Sequence, residues 1–312
     1  MSHAAGPGAA TSRRVQTALV FGVAVIVAGG NAVAIRISNR EIDPLYGAAG
    51  RFAIAALVFA VVVVTGHAAW PRGRALLGAV LYGVLNFALA YGFIYEGLRS
   101  IHAGIAQVIL AAAPLATILL AAAFGLESFS WRRLAGTGVA VLGIGVVSGL
   151  GSAGAPAFSL LGIGAMIAAA VSIAGGAVVV KLFPPAPGAA LNAIGMAVGA
   201  VLLGIASLVT GEHWSVPTRP ETLAAVGFLI VSTIILFAAF LFVIRRWSAS
   251  ATSYQFLLLP IPSVLLSALL DAEPLTASLF AGGLLVAAGA YTALHSPTGA
   301  SRSAFPRAAR RP

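Results

Sequence analysis

Apolar residues run along this chain in blocks of about twenty, broken by Pro, Gly and charge, and within the blocks they do not alternate with polar ones. Ala53 to Val64 carries no polar side chain, and Phe228 to Ile244 carries only Ser232 and Thr233. A membrane-crossing strand would alternate apolar and polar positions over ~10 residues. A helix crosses the ~30 Å hydrocarbon slab with ~20 apolar residues. The pattern therefore predicts helices, with spans near 16–37, 45–66, 75–97, 102–125, 132–150, 158–181, 188–210, 221–244, 249–270 and 275–294. The expected fold class is an all-α integral membrane protein of ten transmembrane helices.

Composition narrows this further. Of 312 residues, 60% are hydrophobic and 8% charged, with a mean hydropathy of +1.02. Soluble domains carry about 25% charge, so a water-soluble globule is excluded and lipid is the expected surrounding. Residues 1–15 and 295–312, rich in Ala, Gly, Ser, Pro and Arg, read as disordered tails. The first apolar run is long enough to span and lacks a small-residue cleavage site after a short core, so it reads as a span and not a leader. The net charge of +10 does not point to nucleic acid, because the basic residues are scattered in ones and twos between apolar runs. Sorted by loop, thirteen Lys and Arg fall on one side, among them Arg72, Arg74, Arg132, Arg133, Lys181, Arg245 and Arg246. Five fall on the other: Arg36, Arg40, Arg51, Arg99 and Arg219. The positive-inside bias then places both termini in the cytoplasm. With no cysteine, disulfides, thiolate metal sites and cysteine nucleophiles are excluded.

Sliding the chain against itself by 146 residues aligns Gly29 and Gly30 with Gly175 and Gly176, Arg99 with Arg245, Pro114 with Pro260, and Glu127 with Glu273. Arg, Pro and Glu are scarce here, yet agree at one offset without gaps. The chain is thus read as two copies, 16–150 and 158–294, each of five spans. An odd number of spans makes the second copy enter the membrane in the opposite sense, so the repeat is inverted. Inverted repeats recur in secondary transporters, which expose a midplane site alternately to either side.

The chain resembles the EamA family of the drug/metabolite transporter superfamily, bacterial ten-helix carriers built of two five-helix repeats. The resemblance covers about residues 16–294. It rests on Gly30-Asn31-Ala32-Val33-Ala34-Ile35-Arg36, Arg51-Phe52, Pro114 with Glu127, Lys181, Arg245-Arg246, Pro260 and Asp271-Ala272-Glu273-Pro274. The second copy departs from the family in lacking a Gly close before Glu273. The resemblance implies a bacterial cytoplasmic membrane protein that exports a small metabolite.

Candidate site residues are the polar groups that lipid would penalise. Asn31, Asn86, Gln107, Ser172, Tyr254 and Gln255 lie inside apolar spans; each either bonds across to another helix or contacts substrate. At 100° per residue Tyr82, Asn86 and Phe93 share one face of span three, while Phe87, Tyr91 and Tyr95 lie on roughly the opposite one. The Asn86 face is taken as the cavity face, and Tyr91 and Tyr95 as candidates for an interfacial aromatic belt. Pro114 and Pro260 kink spans four and nine at matching depth, either for packing or at a central cavity. Glu96 is the deepest carboxylate; it either pairs with Arg99 three residues on or serves proton coupling. Arg36 and Arg51 snorkel to the outer boundary, unless they face the cavity, where they would attract an anion.

Small residues such as Gly136, Gly143, Gly145, Gly282 and Gly289 predict close helix packing within the subunit, with a homodimer as the alternative. The GxGxxG at Gly149 to Gly154 lacks the preceding strand that nucleotide binding needs. No metal-ligand pair, nucleophile motif or Walker loop is present, so no cofactor, metal or catalytic residue is expected. The predicted function is secondary transport of a small-molecule solute by alternating access, around a cavity lined by spans one, three, four, six, eight and nine. A membrane scaffold or an intramembrane enzyme is the alternative.

Overall fold

The computed structural model describes residues 7–100, 103–111, 113–128, 130–147, 159–253, 255–270 and 277–294, and all regular structure among them is helical. In chain order these are α1 (Pro7–Gly29), α2 (Asn31–Ser38), α3 (Pro44–Thr65) and α4 (Arg74–Gly83), a π-helical turn (Val84–Leu89), then α5 (Ala90–Gly97), α6 (Ala103–Leu110), α7 (Ala113–Ala123) and α8 (Trp131–Val147). The second half contains α9 (Leu160–Leu182), α10 (Gly188–Thr210), α11 (Pro220–Ile244), α12 (Ala249–Ser253), α13 (Gln255–Leu258), α14 (Pro260–Leu270) and α15 (Ala277–Leu294).

Among the described residues, six helical stretches are long and apolar enough to cross a membrane: Val15–Ser38, Pro44–Thr65, Arg74–Gly97, Leu160–Leu182, Gly188–Thr210 and Pro220–Ile244. Large side chains such as Leu57, Leu161, Val201 and Val209 stand exposed on their outer faces. An apolar surface of this extent is covered by lipid, not water. The segments expected as spans four and nine are helical but broken. Span four divides into α6 and α7, because Pro114, one residue into α7, has no N–H for a bond to the turn before and its ring opposes that turn's carbonyl. Pro260 opens α14 and likewise has no N–H to offer the turn before. The disordered tail expected for residues 1–15 is corrected in part: α1 starts at Pro7, where proline suits a first helical position and Ala9 and Ala10 favour continuation.

Packing places helices at counterpart positions side by side. α3 lies along α10 and α8 along α15, and each pair is related by the 146-residue offset. The α8–α15 approach depends on glycine: a Cβ at Gly289 would stand 2.4 Å from Ala140 N and 2.5 Å from Gly136 O. This contact is within the subunit.

The helix that matters most to the site, α11, is tied at both ends. At its start Glu41 Oε1 accepts from Thr218 N and Oγ1, both 2.7 Å, and Oε2 accepts from Arg219 N at 3.2 Å. These bonds, first the backbone and then the side chain of Thr218, hold the Glu41 carboxyl down at about 2, below its ordinary 4.5. At its end Lys181 Nζ donates to Ile244 O and to Trp247 O, and Arg245 Nη2 donates to Ala186 O. Carboxylate at the N-terminus and cations at the C-terminus match the helix dipole. Glu212 does the same for α3, accepting from Leu45 N at 3.0 Å and Tyr46 N at 2.8 Å.

Candidate central cavity

Between these helices lies a cavity of about 100 Å³, bounded by α1 and α2, the π turn and α5, α6, α9, α11 and α13. Most of its wall is aliphatic or aromatic. Four amides interrupt it: Asn31, Asn86, Gln107 and Gln255. Asn31 Oδ1 accepts from Ser232 Oγ at 2.7 Å, which leaves the amide nitrogen as its free donor. Gln107 is 5% exposed and its Oε1 has no hydrogen-bond partner. A buried unpaired carbonyl is costly, and this one sits where a donor on a bound solute would satisfy it.

The polar face of span three differs from the expectation. Asn86 lines the cavity, but so does Tyr91, which a uniform 100° step puts on the far side. The reason is the π turn at Val84–Leu89, which adds a residue to the turn and so rotates α5 relative to α4. Tyr82 and Phe93 do not line the cavity. Tyr82 is fully buried, edge-on to Phe87 at 5.2 Å, and Phe93 packs half-buried against the core. Two further wall residues, Phe237 and Phe240 on α11, lie in an apolar run whose polar positions are Ser232 and Thr233, so composition does not set them apart from their neighbours.

Among the other candidates, Ser172 Oγ donates to Ala168 O at 2.8 Å within its own helix and does not reach the cavity. Pro114 is buried and does not line the cavity; the segments just before Pro114 and Pro260, carrying Gln107 and Gln255, form the wall. Tyr254 lies outside the described residues. Glu96 sits at the surface, its carboxylate 3.4 Å from Arg99 with both side chains more than half exposed. Arg51 reverses its expectation: it does not snorkel but is 3% exposed, with Nε donating to Thr233 Oγ1 on α11. Its guanidinium is enclosed by the Phe52 and Tyr91 rings and the Tyr95 hydroxyl and is directed at the neighbouring helices. Among the described residues no group of three or more His, Cys, Asp or Glu could hold a metal ion.

Long apolar helices enclosing a small, amide-studded cavity describe a membrane transport protein. The chain belongs to the EamA-like transporter family, whose sequence model matches twice, at residues 16–149 and 160–294. It is 32% identical over 258 residues to the uncharacterized inner membrane transporter YedA of Escherichia coli strain K12, covering 80% of this chain and 81% of that one. An uncharacterized transporter of Archaeoglobus fulgidus is 27% identical over 277 residues, 88% of this chain and 96% of that protein. A shorter match, 31% over 107 residues and 33% of this chain and 36% of that protein, is to a probable terminal-alkyne amino-acid exporter of Streptantibioticus cattleyicolor. A solved crystal structure shares the fold with a TM-score of 0.72 at 20% identity, covering 89% of this chain and 97% of that one.

Proposed function

We propose that the protein is a secondary transporter that exports a small metabolite, an amino acid or related amphipathic solute, from the bacterial cytoplasm by alternating access. The observation that carries this reading is the cavity itself: elements from both family-matched halves bound it, and its amides stand among apolar walls. In this reading ten spans form two inverted five-helix repeats with both termini cytoplasmic, and the halves rock about the cavity. Asn31 and Gln107 offer a donor and an acceptor, the pair a zwitterion needs. The cavity is smaller than the ~300–1,000 Å³ of drug-sized sites, which favours small solutes. The names of the relatives, an inner membrane transporter and an amino-acid exporter, agree with it.

The test is efflux from proteoliposomes loaded with a labelled amino-acid mixture, with and without an imposed pH gradient. Selective, saturable loss of one class is expected and would name the substrate. Dependence on the gradient would show that export is coupled to protons. Absence of loss under either condition would overturn amino-acid export and favour a scaffold role.

A further inference from the structure

Arg51 is the one charged side chain among the buried described residues. It is a guanidinium on α3, buried to 3% exposure. Nε donates to Thr233 Oγ1 and Nη1 lies 3.5 Å from the Tyr95 hydroxyl. The guanidinium centre sits 5.1 Å from the centroid of the Tyr91 ring and 5.5 Å from that of Phe52. Its surroundings are thus hydroxyls and rings, with no carboxylate among these partners, and Nη2 has no hydrogen-bond partner at all. Hydroxyls and cation–π contacts compensate a buried charge only in part.

Its position gives the charge a use. Tyr91 forms part of the cavity wall, so Arg51 stands one ring away from the cavity. Thr233, which holds it, is about one helical turn from the wall residues Leu236 and Phe237. Among the described residues, the cavity wall itself carries no charged side chain. In such an apolar setting the field of an uncompensated cation is weakly screened and reaches across the wall.

We propose that Arg51 is the specificity-determining cation of the central site, selecting solutes whose carboxylate lies at the Tyr91 wall and disfavouring amines that lack one. This rests on the transport reading for its biological meaning, but not for its test.

Three probes share one branched carbon skeleton: leucine, 4-methylpentanoate and isopentylamine. Purified full-length protein is melted in detergent with each, and the same probes are followed for flux in proteoliposomes. Leucine and 4-methylpentanoate should raise the melting temperature at concentrations at least about tenfold below any effect of isopentylamine. Arg51→Lys should keep that order, and Arg51→Gln should reduce the preference to within about twofold. The comparison in the unaltered protein stands even if a variant does not fold. Stabilisation by the carboxylates without flux would uphold the role of Arg51 and count against transport. Flux or stabilisation that treats the amine as well as the acids would overturn it while leaving transport intact. A folded Arg51→Gln protein that keeps the preference, or no stabilisation by any probe, would also overturn it.

Discussion

Asn86 has no room to retreat. Behind it lies Gly176, where an added Cβ would stand 2.9 Å from Asn86 Cβ and 3.0 Å from Oδ1, so the absent side chain on α9 seats the amide against the cavity. At the 146-residue offset Asn86 corresponds to Ser232 and Gly176 to Gly30. Ser232 donates to Asn31, the residue after Gly30, so the two copies each present a polar group at the same repeat position to a glycine-bearing helix. Replacing Asn86 by Leu keeps the branched outline of the side chain and removes the amide. Initial transport rates should fall about tenfold, the worth of one lost buried polar contact, with folded protein still recovered from the membrane. Unchanged kinetics would remove Asn86 from the site. Gly176→Ala should destabilise the fold by about 1–3 kcal/mol of overpacking, read as a lower melting temperature, and reduce transport by displacing Asn86. Gly164→Ala on the same helix, with nothing within 4 Å of the added atom, serves as the control that leaves both intact.

The elements that carry these residues are held by their ends. Glu41, Asp43 and Glu212 bind backbone N–H groups across the two halves: Glu41 at Thr218 and Arg219, Asp43 at His213 N at 2.7 Å, and Glu212 at Leu45 and Tyr46. Tyr46 stacks on Trp214 at 5.1 Å beside them. The pH behaviour of this strap is set by Glu41. Its carboxyl is held at about 2 against an ordinary 4.5, so the ionised form is favoured in the folded strap. Its contribution is complete above the ordinary value and disappears as pH falls from 4.5 toward 2. A Glu41→Gln variant should therefore melt lower than the parent at neutral pH, and the two curves should converge near the acid end of that window. A gap that persists at low pH would mean that packing, and not the carboxylate, ties α11 to the α2–α3 connection.

Across the whole molecule, the helical class and the membrane setting were legible from unbroken apolar runs, and the duplication from Arg, Pro and Glu that agree at one offset. Three things were not legible. A uniform 100° step cannot foresee a π turn, so it sends Tyr91 to the wrong wall. Snorkelling is a property of helix ends, and nothing local said that Arg51 would meet Thr233, 182 residues away. The aromatic wall of α11 lies in a run in which only Ser232 and Thr233 break the apolar pattern, too few to mark Phe237 and Phe240 as facing a cavity. The inversion of the repeat is the largest inference still to be measured, and the absence of cysteine makes it accessible. Ser100 and Arg246 occupy the same position in the two copies, both exposed. If five spans separate each pair of equivalent points, these two lie on opposite sides of the membrane. In intact spheroplasts a membrane-impermeant maleimide should label Ser100→Cys at once and Arg246→Cys only after permeabilisation, in agreement with the surplus of Lys and Arg on the latter side. Labelling of both from outside would mean parallel copies and an even number of spans in each, and would remove the physical basis for alternating access by rocking of inverted halves.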